Sequence, residues 1–141
     1  MNSLRVKSEL GEIARIREFL RQNLGVFRLS EEDYFKIELA LVEICTNVVR
    51  YAYPGTSGEL TVRAWEEDRK FYLEVRDRGV PFDPRLVKRP RFKEMVSQNQ
   101  KGGLGIFLAR RLMDGFFYRR ENDENVLTMY KKLARPRPKS Q

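Results

Sequence analysis

Residues 34–53, YFKIELALVEICTNVVRYAY, constrain this chain more than any other stretch. They read as one long helix, apolar almost all the way round. Ile37, Leu41, Ile44 and Val48 recur at helical spacing and form one row, and Phe35, Leu39, Val42 and Val49 cover much of another side. Ser30-Glu31-Glu32-Asp33 in front has the capping-box pattern, and Pro54-Gly55 ends the segment. Such a helix must bury itself against other elements. Yet Glu43 and Asn47, one turn apart, share a narrow polar stripe with Lys36, Ala40 and Arg50. Buried polar groups need partners. A lone pair of this kind is more often just the polar edge of a helix, so the rest of the chain has to decide between the two.

At 141 residues and 41% hydrophobic, the chain is expected to form one folded domain over residues 1–133. The net charge of +8 is concentrated in two places, residues 85–101 and the tail 131–141, and the remainder is slightly acidic. A nucleic-acid binder more often spreads basic residues over its folded surface, so no direct nucleic-acid partner is expected. No apolar run approaches the roughly 18 residues of a membrane span, and residues 1–12 lack a signal-peptide core. The expectation is therefore a cytoplasmic protein with no membrane partner. The single cysteine, Cys45, cannot form an intrachain disulfide. Histidine is absent, which excludes His-based zinc sites, Ser-His-Asp triads and phosphohistidine chemistry within the chain.

In chain order, a short strand is expected at 3–8 and an amphipathic helix at 9–24. After the central helix, alternation predicts strands at 59–66 and around Phe71–Val75, with a turn at Glu67-Asp68. Asp77 continues the inward register of Phe71, Leu73 and Val75, so its carboxylate should face the covered side. Pro81, Pro84 and Pro90 break residues 79–101 into a basic, mobile loop. A helix is expected at 104–114, then a hairpin of 116–120 and 125–133, then a disordered basic tail, 134–141. Hairpins dominate and helices come in groups. The fold class is α+β, a two-layer α/β sandwich with helices on one face of a mainly antiparallel, mixed sheet.

Three segments carry the chemistry: Glu43-Ile-Cys-Thr-Asn47, Asp77-Arg-Gly79-Val-Pro-Phe-Asp-Pro84, and Gly102-Gly-Leu-Gly105-Ile-Phe-Leu-Ala-Arg. A carboxylate at a core-facing strand end calls for a buried donor, and Gly79 lets backbone pass close to a ligand. A glycine run before a helix offers free N–H groups and the positive dipole end to phosphate, and Lys101 adds a charge there. There is no GxxxxGK[ST] sequence, so a P-loop is excluded. Each segment alone has an ordinary structural explanation: a helix edge, an Asp-x-Gly turn, a hinge.

In this order and spacing the three segments resemble the N, G1 and G2 boxes of the GHKL (Bergerat-fold, histidine kinase-like) ATPase superfamily. Glu38–Pro54, Asp77–Pro84, Gly102–Asp114 and Asn125–Lys131 are more similar still to the bacterial anti-sigma-factor serine/threonine kinases. Pro81, where other branches have a second glycine, fits that branch and argues against gyrase, Hsp90 and histidine kinases. The resemblance implies a Bergerat fold and ATP/ADP with Mg2+ as cofactors. It implies Glu43 as general base and Asn47 as magnesium ligand. Asp77 and Gly79 would meet adenine, with Thr128 nearby. Lys101, Gly102, Gly103, Leu104 and Gly105 would meet phosphate, and residues 85–101 would form a lid. Arg50 stands where many relatives have histidine. The implied function is an anti-sigma factor and kinase that phosphorylates a small anti-anti-sigma (STAS-type) antagonist. The implied partners are that antagonist and a sigma factor, with a homodimer formed through residues 4–20. An ATP-dependent partner-switch clamp with little or no kinase activity is the alternative.

Overall fold

A computed structural model of the chain describes residues 2–24, 29–83 and 102–133. In order come β1 (Asn2–Lys7), a 3-10 turn (Leu10–Glu12), α1 (Ile13–Asn23), α2 (Glu31–Tyr51), β2 (Glu59–Glu67), β3 (Lys70–Asp77), α3 (Gly102–Leu112), β4 (Gly115–Glu121) and β5 (Glu124–Lys132). The expected lid, Lys101 and the basic tail lie outside the described residues.

The five strands form one sheet in the order β1-β2-β3-β5-β4. Every pairing is antiparallel, so the mixed character expected for the sheet is not found among the described strands. The β2–β3 and β4–β5 hairpins each close on two residues in the left-handed region: Asp68 and Arg69 (φ 51° and 60°), and Asn122 and Asp123 (φ 50° and 62°). Such turns match the right-handed twist of the strands they join. The first falls one residue later than expected, which carries β2 through Glu67.

One face of the sheet is apolar by strict alternation. Leu60, Val62 and Ala64 on β2 lie beside Val75 and Leu73 on β3, and these in turn pair with Leu127 and Met129 on β5. All of them are buried. The helices cover this face, with α2 central. Its buried row is Ile37, Ala40, Leu41, Ile44, Cys45 and Val48. Burial pushes the Cys45 thiol up to about 12, so it is a small core residue and not a nucleophile. The second apolar side of α2 turns away from the sheet: Phe35 is 61% exposed, and Leu39, Val42 and Val49 are half-buried. Ser30 caps α2, its Oγ accepting from the Asp33 N–H at 3.1 Å.

Two helix boundaries differ from expectation. The segment expected as a helix from residue 9 opens as a 3-10 turn containing Gly11, and the α-helix proper starts at Ile13; tight 3-10 geometry is common at helix starts. Further on, α3 begins at Gly102, so the glycines are its first turn and not a loop before it.

These packing roles predict a contrast within one helix. Leu41→Ala should lower unfolding free energy by about 2–5 kcal/mol through cavity formation. Phe35→Ala should change it by about 0.5 kcal/mol or less. Urea unfolding of the two variants measures both.

Candidate functional site

Asp77 is the last residue of β3 and lies on the inner face, where its carboxylate is almost fully buried. Its Oδ1 accepts two hydrogen bonds, from the Gly79 N–H at 2.9 Å and from Asn125 Nδ2 at 2.9 Å. Burial raises the Asp77 pKa above the usual carboxylate value, while the donors from Asn125 and Gly79 and the nearby Arg120 guanidinium oppose that shift.

The turn after β3 is pinned to the end of α2. The Val80 N–H donates to the Ala52 carbonyl at 2.8 Å, and the Arg78 N–H donates to the Tyr53 hydroxyl at 2.8 Å. A Cβ on Gly79 would come within 2.2 Å of the Ala52 carbonyl oxygen, so no larger residue fits there. From β4, Arg120 Nη1 donates to the Gly79 carbonyl at 2.8 Å. Backbone atoms of the G1-like turn are thus held by α2 on one side and by the β4–β5 hairpin on the other.

Asn47 and Asp77 share a cavity of about 40 Å³ with Asn125. Phe82 and Tyr118 are its aromatic walls, and Ile44, Val75 and Leu127 form part of its apolar lining. Asn47 is half-buried and has no hydrogen-bond partner among the described residues. One turn earlier, Glu43 leans over α3: a Cβ placed on Gly105 would lie 2.2 Å from Glu43 Oε2. The glycine lets the carboxylate rest directly against the first turns of α3. The backbone N–H groups of Gly102, Gly103, Leu104 and Gly105 are the four that a helix start leaves without intrahelical acceptors. Five expected residues, Glu43, Asn47, Asp77, Gly79 and Gly105, therefore gather around the end of α2, the end of β3 and the start of α3. Arg50 is exposed.

Thr128 does not join them. Its register partners are Glu74 on β3 and Phe117 on β4, which places it on the opposite face of the sheet from Asp77. The physical reason is period-two alternation: Asn125 and Leu127 point inward, so Thr128 points outward. The expected adenine contact by Thr128 is corrected accordingly, and Leu127 occupies the inward position. A larger concavity of about 910 Å³, lined by Arg5, Lys7, Arg63 and Arg76 among others, lies over that outer face and meets the motif residues at Asp77. Sequence reading missed Asn125, Arg120 and Tyr118. Counting inward from the Asn122-Asp123 turn sets Asn125 beside Arg120, but only the β3–β5 register puts it opposite Asp77.

Comparison with known proteins identifies a family for the chain. The family model described as "Histidine kinase-like ATPase domain" matches residues 6–131, and the chain belongs to that family. It is similar to the serine-protein kinase RsbW of Bacillus cereus, 32% identical over 87 residues, covering 59% of this chain and 54% of that protein. It is also similar to the serine/threonine-protein kinase BtrW of Bordetella bronchiseptica, 28% identical over 103 residues, 72% of each chain. The chain thus spans about half the length of the RsbW relative it matches. The fold is that of the crystal structure of the RsbU and RsbW domains of a Mycobacterium tuberculosis protein, with a TM-score of 0.63 and 17% identity over 96% of this chain and 34% of that one. The resemblance read from the four segments holds at the level of the histidine kinase-like ATPase family, and the expected α+β sandwich is the fold found.

A pH prediction follows from Asp77. Its folded pKa lies above the unfolded one, so this group's contribution to stability is fully present below the unfolded value and is lost as pH rises through the folded value. Asp77→Asn keeps an acceptor for Gly79 and Asn125 and removes the buried charge. Its melting temperature relative to wild type should therefore be higher at about pH 7.5 than at about pH 3.5. Thermal unfolding across that range checks the sign.

Proposed function

We propose that this domain binds ATP with magnesium and transfers the γ-phosphoryl group to a serine or threonine of a small antagonist protein. The protein would act as a cytoplasmic anti-sigma factor and kinase in a partner-switching system. The observation that carries this reading is the placement of Glu43 and Asn47. They stand one turn apart on a single rigid helix, Asn47 facing the cavity of Asp77 and Glu43 lying over the glycine start of α3. Among the described residues no helix is long and apolar enough to cross a membrane.

In this reading the Asp77 carboxylate accepts from the base's amino group, and the first-turn N–H groups of α3 meet the phosphates. The Asn47 carboxamide oxygen fits a hard cation that takes one or two protein oxygens. Among the described residues no group of three or more His, Cys, Asp or Glu gathers that would form an all-protein cage. Magnesium, when bound, would neutralise charge on the phosphates. Glu43 accepts the proton of the incoming hydroxyl, whose oxygen forms the new bond to the γ-phosphorus as the bond to the bridging oxygen breaks and ADP leaves. Little covalent work is asked of the protein beyond positioning. The name of the RsbW relatives supports the substrate class. The antagonist and sigma-factor partners, and a homodimer through residues 4–20, rest on the family resemblance.

Saturation with Mg-ATP at about 100 Kd should stabilise the fold by about 2.7 kcal/mol, several degrees in melting temperature, with no such shift for GTP. Glu43→Ala should keep that shift and lose about 100-fold or more of phosphate transfer to the antagonist, measured with labelled ATP. Undiminished transfer would place Glu43 outside the chemistry, whereas absence of transfer by the wild type itself would leave the domain a nucleotide-gated clamp. Gly105→Ala should fold normally, since alanine suits a helix interior. Among the described residues the nearest contact of its new Cβ is the end of the flexible Glu43 side chain. Transfer should therefore fall while Mg-ATP stabilisation is retained.

A further inference from the structure

Asn125 sits on β5 directly opposite Asp77 and is 6% exposed. Its carboxamide has two donor hydrogens and two acceptor sites, and all four are used. Nδ2 donates to Asp77 Oδ1 at 2.9 Å and to the Val80 carbonyl at 2.8 Å. Oδ1 accepts from the Phe82 N–H at 3.2 Å and from the Tyr118 hydroxyl at 2.7 Å.

The orientation of an amide is often ambiguous, but here two backbone groups fix it. The Val80 carbonyl can only accept, and the Phe82 N–H can only donate. The end of Asn125 that faces Asp77 must therefore be the NH2 group. Oδ1 of Asp77 is then committed as an acceptor twice over, to Asn125 and to Gly79. Any proton carried by Asp77 has to sit on Oδ2. An ionised Oδ2 accepts from an amino group, whereas a protonated Oδ2 donates to a carbonyl. A single oxygen thus has two opposite recognition states, selected by whether Asp77 is charged.

We propose that Asn125 is a specificity-determining positioning residue, which through its hydrogen bond to Asp77 Oδ1 holds the carboxylate ionised with Oδ2 as the acceptor, so that the site takes a 6-amino purine and rejects a 6-oxo purine. This rests on the ATP-binding reading above. A site built to accept a hydrogen bond discriminates strongly against a ligand that brings a second acceptor to the same place. The other groups that bear on Asp77 are Arg120 and Tyr118 from β4, Glu124 from β5 and Tyr53 from the end of α2. Arg120 favours the charged form and Glu124 opposes it, so Asn125 acts alongside two opposed charges.

The test compares Mg-ATP with Mg-ITP, whose base carries a 6-oxo group, by calorimetric titration of the wild type, Asn125→Ala and Asn125→Asp over a range of pH. It also follows the Asp77 carboxyl by carbon NMR in the unliganded proteins. In Asn125→Ala the ATP-over-ITP preference should fall about tenfold or more, as expected for loss of a hydrogen bond to a charged group. The pH at which the preference fades should move upward together with the Asp77 titration. Asn125→Asp, which sets a second carboxylate beside the first, should move both further in the same direction. An unchanged preference, or equal weakening of both nucleotides with the Asp77 titration where it was, overturns the proposal. Should the wild type bind neither nucleotide, the ATP reading itself has failed, and the Asp77 titration still decides whether Asn125 holds that carboxylate ionised.

Discussion

A carboxylate buried at the end of β3 is the constraint to which the rest of this molecule's functional end conforms. Burial works against the charged form of Asp77. Three separate elements oppose that effect. The turn after β3 supplies the Gly79 N–H, β5 supplies Asn125, and β4 supplies Arg120, which also grips the Gly79 carbonyl. Each donor is short-range, but the parts that bring them come from positions some forty to fifty residues apart in the chain. The tight approach of Gly79 to Ala52 then ties the same turn to α2. The carboxylate is therefore held at a junction of strand, hairpin and helix, which is where a ligand can be met by groups from all three.

The central helix serves two demands with two faces. Its Ile37–Leu41–Ile44–Val48 row is fully or nearly fully buried against the sheet and fixes the helix rigidly. Glu43 and Asn47 ride on the adjacent flank, where their spacing is set by the helix itself and not by a flexible loop. The core thus does positional work for the site: rotating α2 to improve its packing would move both polar side chains at once. The same logic explains the glycine at 105. Close approach of α3 to that flank leaves room for a carboxylate and nothing more.

Much of this was legible in the sequence because it depends on local periodicity. The buried row of α2, its Ser30 cap and the inward face of Asp77 all follow from spacing of 3.6 or 2 within one element. What could not be read depends on pairing between elements. Thr128 has the right residue type for an adenine contact but the wrong parity, and only the β3–β5 register shows it. Asn125 looks like an ordinary turn-flanking residue until that register sets it across from Asp77. The second apolar side of α2 misled for a related reason: hydrophobic composition says that a face can be buried, not that another element arrives to bury it, and Phe35 remains exposed. The glycines at 102–103 were expected just before the helix, yet they form its first turn, where helix propensity counts least and open N–H groups count most.

The two-residue turn at Asn122-Asp123 has a significance beyond closing a hairpin. It sets which residues of β4 and β5 stand side by side, and hence that Tyr118, Arg120 and Asn125 all point into the same space. A strand displaced by one residue presents its other face. Lengthening this exposed turn by one residue is the kind of change a fold usually absorbs, yet here it would turn Arg120 and Tyr118 to the outer surface and withdraw part of the β4 packing from the core. On the proposal that Asn125 sets the choice of base, selectivity becomes a property of strand phase, which a lineage could alter by editing the turn alone.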